Sequence, residues 1–96
     1  MAGIVDSQQK IIALCDSMKA LLLEKNQRYG DSALSPLGIF STLNATEGIK
    51  VRLDDKLARI KNHPESLRKN DIADIIGYLI LLCAAQGWID FSDLVD

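Results

Sequence analysis

Asp71 and Asp74 lie three residues apart at the start of the most apolar stretch of the chain, and Tyr78 follows four later, so in a helix all three share one face. Two carboxylates there suit a hard cation, because Mg²⁺ or Mn²⁺ prefers carboxylate oxygen and commonly bridges to substrate phosphates. A plainer reading is that acidic side chains in a first turn interact favourably with the helix dipole. That reading covers Asp71 better than Asp74, which lies deeper in the helix and is a poor helix former.

The preceding helical stretch carries Glu47, Arg52, Asp54, Asp55, Lys56 and Arg59. With Glu47 taken as zero and about 100° per residue, the apolar stripe centres near roughly 230°. Lys50, Asp54 and Lys61 then fall opposite that stripe and read as a solvated face. Asp55, Arg59 and Arg52 cluster at roughly 80° to 140°, with Lys56 at about 180° beside the apolar edge. This second group could face a cleft, or it could be an ordinary i, i+4 pair between Asp55 and Arg59 with snorkelling cations. Glu47 also reads as the acid of a capping box. His63 precedes Pro64 with no second His or Cys at ligand spacing, so zinc is disfavoured and a surface position expected. No Gly-rich phosphate loop appears, which argues against a P-loop enzyme.

Composition limits what can position these groups. Ninety-six residues suit one domain, 1–96, and a chain this short buries a limited fraction of its surface. Apolar residues are 48% of the chain but aromatics only 5%, so the interior must be built from Ile, Leu, Val and Ala, which favours packed helices. The net charge of −2 is spread over interspersed acids and bases, and duplex nucleic acid is therefore not an expected partner. Cys15 and Cys83 read as two reduced thiols of a cytoplasmic protein. The longest apolar stretch, residues 75–85, is too short to cross a bilayer, so no membrane is expected.

Periodicity places about four helices. Asp6 with Gln9 resembles a capping box, and Gln8, Ile11, Ile12, Cys15, Met18 and Leu22 recur at helical spacing, so the first helix spans about residues 7–28 and ends before a left-handed Gly30. Ser35 before Pro36 predicts a short helix over 36–43 presenting Leu37, Phe40 and Leu43. Asn44 and Glu47 cap a third helix with the stripe Ile49, Leu53, Leu57 and Ile60, stopping near Asn62 before Pro64. The last helix runs from about Lys69 or Asn70 to Gln86, with Gly87 as terminator. Beyond Asp74 it is apolar on nearly every face, which predicts burial from several sides and hence a homodimer or homotetramer. The expected fold is an all-α, oligomeric small bundle.

Four segments carry a resemblance: K-N-x-x-Y-G-D-S with its flanks over residues 24–33, P-L-G-I-F-S over 36–41, the 47–60 stretch with V-R-x-D-D-K-L-x-R-I, and D-I-A-D-I-I-G-Y over 71–78. Read together they are similar to a phage and bacterial family related to the MazG-like all-α nucleoside triphosphate pyrophosphohydrolases, often placed near nucleotide-modification genes. In MazG-like enzymes an E-x-x-E on one helix and an E-x-x-D on the next hold Mg²⁺, and activated water cleaves between the α- and β-phosphates.

The resemblance implies a Mg²⁺-dependent enzyme that releases nucleoside monophosphate and pyrophosphate and adjusts a phage or bacterial dNTP pool. Asp71 and Asp74 match the second acidic pair, with Asp in place of the usual Glu. The first pair departs from the pattern, since position 50 is Lys; Asp55 with Glu47 or Asp54 would stand in. The implied metal ligands are Glu47, Asp55, Asp71 and Asp74, with Lys56 and Arg59 stabilising charge on the pyrophosphate. Lys25, Tyr29, Asp31, Arg52 and Tyr78 are the candidate substrate contacts, although Tyr29-Gly30 reads equally as a packed helix terminus. A non-catalytic helical module that binds a nucleotide or a protein is the alternative.

Overall fold

Helix formation follows from where the chain lacks breakers and where it has caps. The computed structural model describes residues 2–95, and side chains from residue 5 to residue 95. Among the described residues there are three α-helices, α1 (Ala2–Arg28), α2 (Ala45–Asn62) and α3 (Lys69–Gln86), two single 3₁₀ turns, and no strand. The chain divides after Gly30 into two units.

The first unit is α1 and its terminator. The helix begins before the expected cap, so Asp6 lies inside it and pairs with Lys10 at 3.0 Å, an i, i+4 arrangement in place of an N-terminal cap. Its end is as expected: Tyr29 N–H donates to the Lys25 carbonyl at 2.9 Å, and Gly30 takes φ +60, which costs glycine little. Ile11, Ile12, Leu14 and Leu23 are exposed.

The second unit opens with a loop where a short helix was expected. Residues 36–43 are not helical, and three causes are visible. Gly38 sits at φ +74, outside the right-handed helical region. Ser35 turns back onto Asp31 through its N–H (2.8 Å) and its hydroxyl (3.3 Å) instead of capping forward. Eight residues also hold too few helical bonds to offset nucleation. Leu37, Ile39 and Phe40 are consequently exposed.

Helix α2 starts where the Asn44 side chain accepts the Glu47 N–H at 2.9 Å, and it ends at His63, before Pro64. The 3₁₀ turn Pro64–Ser66 reverses the chain into α3, which ends on Gly87 at φ +76. The two helices pack against each other, and Ile49, 1% exposed, is the fully buried hydrophobic side chain of the described residues. The packed face of α2 is rotated from the apolar stripe. Leu57 is 54% exposed, while Lys56 and Arg59 are partly buried. Both cations pair with carboxylates of α3, Lys56 with Asp74 and Arg59 with Asp71.

Candidate functional site

The site is built by two helices running in opposite directions. Lys56 Nζ lies 2.8 Å from Asp74 Oδ2, and Arg59 Nη1 lies 2.7 Å from Asp71 Oδ2, so a step of three residues forward on α2 matches three back on α3. Arg68 completes the group, its backbone N–H donating to Asp71 Oδ2 at 3.2 Å and its Nε lying 3.6 Å away. Three cations against two carboxylates leave the cluster one positive charge in excess (3 − 2 = +1).

Asp71 occupies the third position of α3 and is fully buried, 0% exposed. Arg59 and Arg68 both converge on Oδ2, and Oδ1 is buried with no hydrogen-bond partner. A buried acceptor left unsatisfied is costly, and more so on a charged group. Burial pushes the Asp71 carboxyl up, but the Arg68 N–H, the Arg68 side chain and the charges of Arg59 and Arg68 outweigh it and hold it below its ordinary 3.8. On Lys56 the hydrogen bond from the ammonium to Asp74 prevails over burial, and the Asp74, Asp71 and Tyr78 charges add to it, so its pKa lies above the ordinary 10.5.

These shifts fix a pH dependence. The Asp71 contribution to stability is complete above pH 3.8 and is lost as pH falls through the lower folded value. The Lys56 contribution is complete below pH 10.5 and is lost as pH rises through the higher folded value. Calorimetry across pH is therefore expected to show Lys56→Met melting below the parent at neutral pH, with the gap closing above pH 10.5. A gap that persists undiminished in strong alkali would remove the Lys56–Asp74 pair from the stability of the fold.

The structure brings four of the sequence candidates together: Lys56, Arg59, Asp71 and Asp74, with half-buried Tyr78 close enough to act on Lys56. It does not gather the first acidic pair with them. Among the described residues no three His, Cys, Asp or Glu side chains form a metal-holding group. Glu47 is 3.4 Å from Lys50, and Asp54 and Asp55 are both exposed. Asp31 accepts the Ser35 hydroxyl, while Tyr29 and Arg52 are exposed. Lys25, in the last turn of α1, is also exposed. His63 is exposed too, 3.7 Å from Glu65, as its place before Pro64 suggested.

Sequence reasoning missed Arg68. Its signal was the spacing to Asp71, three residues, which matches an N-cap and its third helical residue. Both cysteines are free, and no helix among the described residues is long and apolar enough to cross a membrane.

Asp71 and Asp74 supply carboxylate oxygens of the kind a hard cation takes, and each is already paired with a basic side chain of α2. Mg²⁺ is commonly held by one or two carboxylates together with waters and substrate phosphates, and Oδ1 of Asp71 is a buried oxygen with no other partner. Compared with protein-family models, curated proteins and solved structures, the chain matches none of them.

Proposed function

We propose that the chain is a (deoxy)nucleoside triphosphate pyrophosphohydrolase dependent on Mg²⁺ or Mn²⁺, acting on a phage or bacterial dNTP pool in the cytoplasm and working as a homo-oligomer. The observation that carries this reading is the buried Asp71 carboxylate with an unsatisfied Oδ1, held among Asp74 and three cations. A buried acceptor without a partner calls for an explanation, and a cation bound at the carboxylate is one. The resemblance of the 47–60 segment to the phage and bacterial family, and of the D-x-x-D at 71–74 to MazG-like enzymes, supports the same reading.

In this reading Asp71 and Asp74 hold the metal, which would neutralise triphosphate charge and lower the pKa of a bound water. Lys56 and Arg59, 28% and 30% exposed, reach solvent and stabilise charge that develops on the leaving pyrophosphate. Arg68 orients Asp71 by donating to Oδ2. Tyr78, on the same face as both carboxylates, borders the bound nucleotide. Incubation of the pure protein with each dNTP and Mg²⁺ is expected to yield pyrophosphate and the corresponding monophosphate. Release of orthophosphate, or no release from any dNTP, would overturn the assignment.

One observation favours a second reading. Lys56 and Arg59 each already pair with one of the carboxylates, and such a clamp also suits a helical module that binds a nucleotide or a protein without chemistry. Nucleotide retention without pyrophosphate release is the outcome that distinguishes it.

A further inference from the structure

We propose that the recess between the loop before α2 and the first turns of α2 is a base-binding subsite that takes one pyrimidine ring. This deepens the nucleotide reading above and rests on it for the position of the phosphates. The recess has a volume of about 140 Å³ and is lined by Ser32, Ser41, Asn44, Gly48, Ile49 and Arg52, among others. A cavity of about 150 Å³ accommodates one benzene ring, whereas pockets that enclose whole small molecules start at about 300 Å³. One six-membered ring fits, and a sugar with its phosphates must lie outside.

The lining suits a heterocycle. Ala33, Pro36 and Leu43 supply apolar surface. The Asn44 side-chain oxygen is used by the Glu47 N–H, so its amide nitrogen offers donors, and Ser41 Oγ accepts the Leu43 N–H while its own O–H can donate. Donors at the rim of an apolar slot match the ring carbonyls of a pyrimidine.

Gly48 lies in the lining of the recess. A helix interior disfavours glycine by about 1 kcal/mol relative to alanine. A Cβ at Gly48 would meet nothing within 4 Å, so the residue is not forced by crowding; what it leaves is room at the wall of the recess. The helical repeat puts Gly48, Ile49, Arg52, Lys56 and Arg59 within a sector of about 100°. The rise from Ile49 to Lys56 is about 10 Å, with Arg52 between them. A base in the recess therefore directs its 5′ phosphates along α2 toward Lys56 and Asp74.

The test uses nucleosides, which carry no phosphate and need no metal. Titration of ¹⁵N-labelled protein with thymidine and deoxycytidine is expected to shift the amides of Ser32, Ser41 and Gly48, with deoxyadenosine and deoxyguanosine binding at least about 10-fold more weakly. Gly48→Leu fills the recess and should weaken pyrimidine binding by about 10-fold or more, while Gly48→Ala retains the helix and weakens it less. If Gly48→Leu loses its helical circular dichroism, the wild-type shift map and Gly48→Ala decide. Purine binding as tight as pyrimidine, shifts confined to other residues, no shift at millimolar nucleoside, or unchanged affinity in a folded Gly48→Leu would each overturn the subsite. Failure of pyrophosphate release leaves nucleoside binding intact, so this result and the hydrolase reading fail separately.

Discussion

Asp74→Asn is expected to lower pyrophosphate release by at least about 10³-fold, equivalent to about 4 kcal/mol of transition-state stabilisation, while leaving the helical fold in place. The side chain keeps nearly the same shape and loses the charge that a divalent cation requires. Asp74 is 23% exposed and its partner Lys56 28% exposed, so the ammonium released by the substitution still reaches water and the helices are retained, with a lower Tm from the lost pair. Asp71→Asn is expected to lower it further. That carboxylate is buried, accepts the Arg68 N–H at the head of α3 and neutralises Arg59, so its amide analogue should lose activity and also lower Tm by roughly 5–15 °C. Binding of Mn²⁺ followed by electron paramagnetic resonance gives a readout apart from turnover, and it should weaken in both variants. Full activity in Asp74→Asn would remove that residue from the mechanism, and undiminished Mn²⁺ binding in both would remove the metal site.

The contrast between the two aspartates shows what the sequence could and could not convey. The D-x-x-D spacing put both on one face, and the structure places both on the face that meets α2. The extent to which each is buried was not legible, because it depends on where α2 turns. The apolar stripe of α2 pointed to Leu57 as a core residue, yet Leu57 is exposed and Lys56 and Arg59 take the packed side. Periodicity counts only apolar residues, and here two charged residues with long apolar stems are part of the packed surface.

Local signals fared best where chemistry is local. Asn44 with Glu47, Pro64 after His63, and Gly87 fixed the limits of α2 and α3 to within a residue, because caps and breakers act within one turn. The same kind of signal failed at Ser35-Pro36. Those residues can start a helix, but Asp31 captures Ser35 from behind and Gly38 adopts a left-handed conformation two residues beyond Pro36. Where two local motifs compete for one residue, spacing alone does not rank them. The recess that results from the missing helix was invisible in the sequence for the same reason.

Light scattering at micromolar concentration is expected to report at least twice the chain mass of 10.6 kDa, and α3 is the argument for it. The helix is apolar on nearly every face beyond Asp74, but the described fold packs only one side. Ile72, Ile76, Leu79 and Ile80 remain 44%, 39%, 47% and 45% exposed, and their spacing sets them along the side away from Asp71 and Gly77, which are buried. Burying a Leu or Ile fully contributes about 1.5 to 3 kcal/mol, so covering the remaining surface of four such residues adds roughly 3 to 5 kcal/mol per chain. A domain whose net stability is about 5 to 15 kcal/mol, with Ile49 as its fully buried hydrophobic side chain, gains a large fraction of its stability from that cover. A two-fold dimer is the default closed arrangement, because one self-complementary stripe then buries itself against its copy. Ile76→Lys combined with Leu79→Lys places two charges in the middle of the stripe and should reduce the assembly to monomers at micromolar concentration. A parent protein that is a stable monomer, or a doubly substituted one that assembles unchanged, would rule out α3 as the interface.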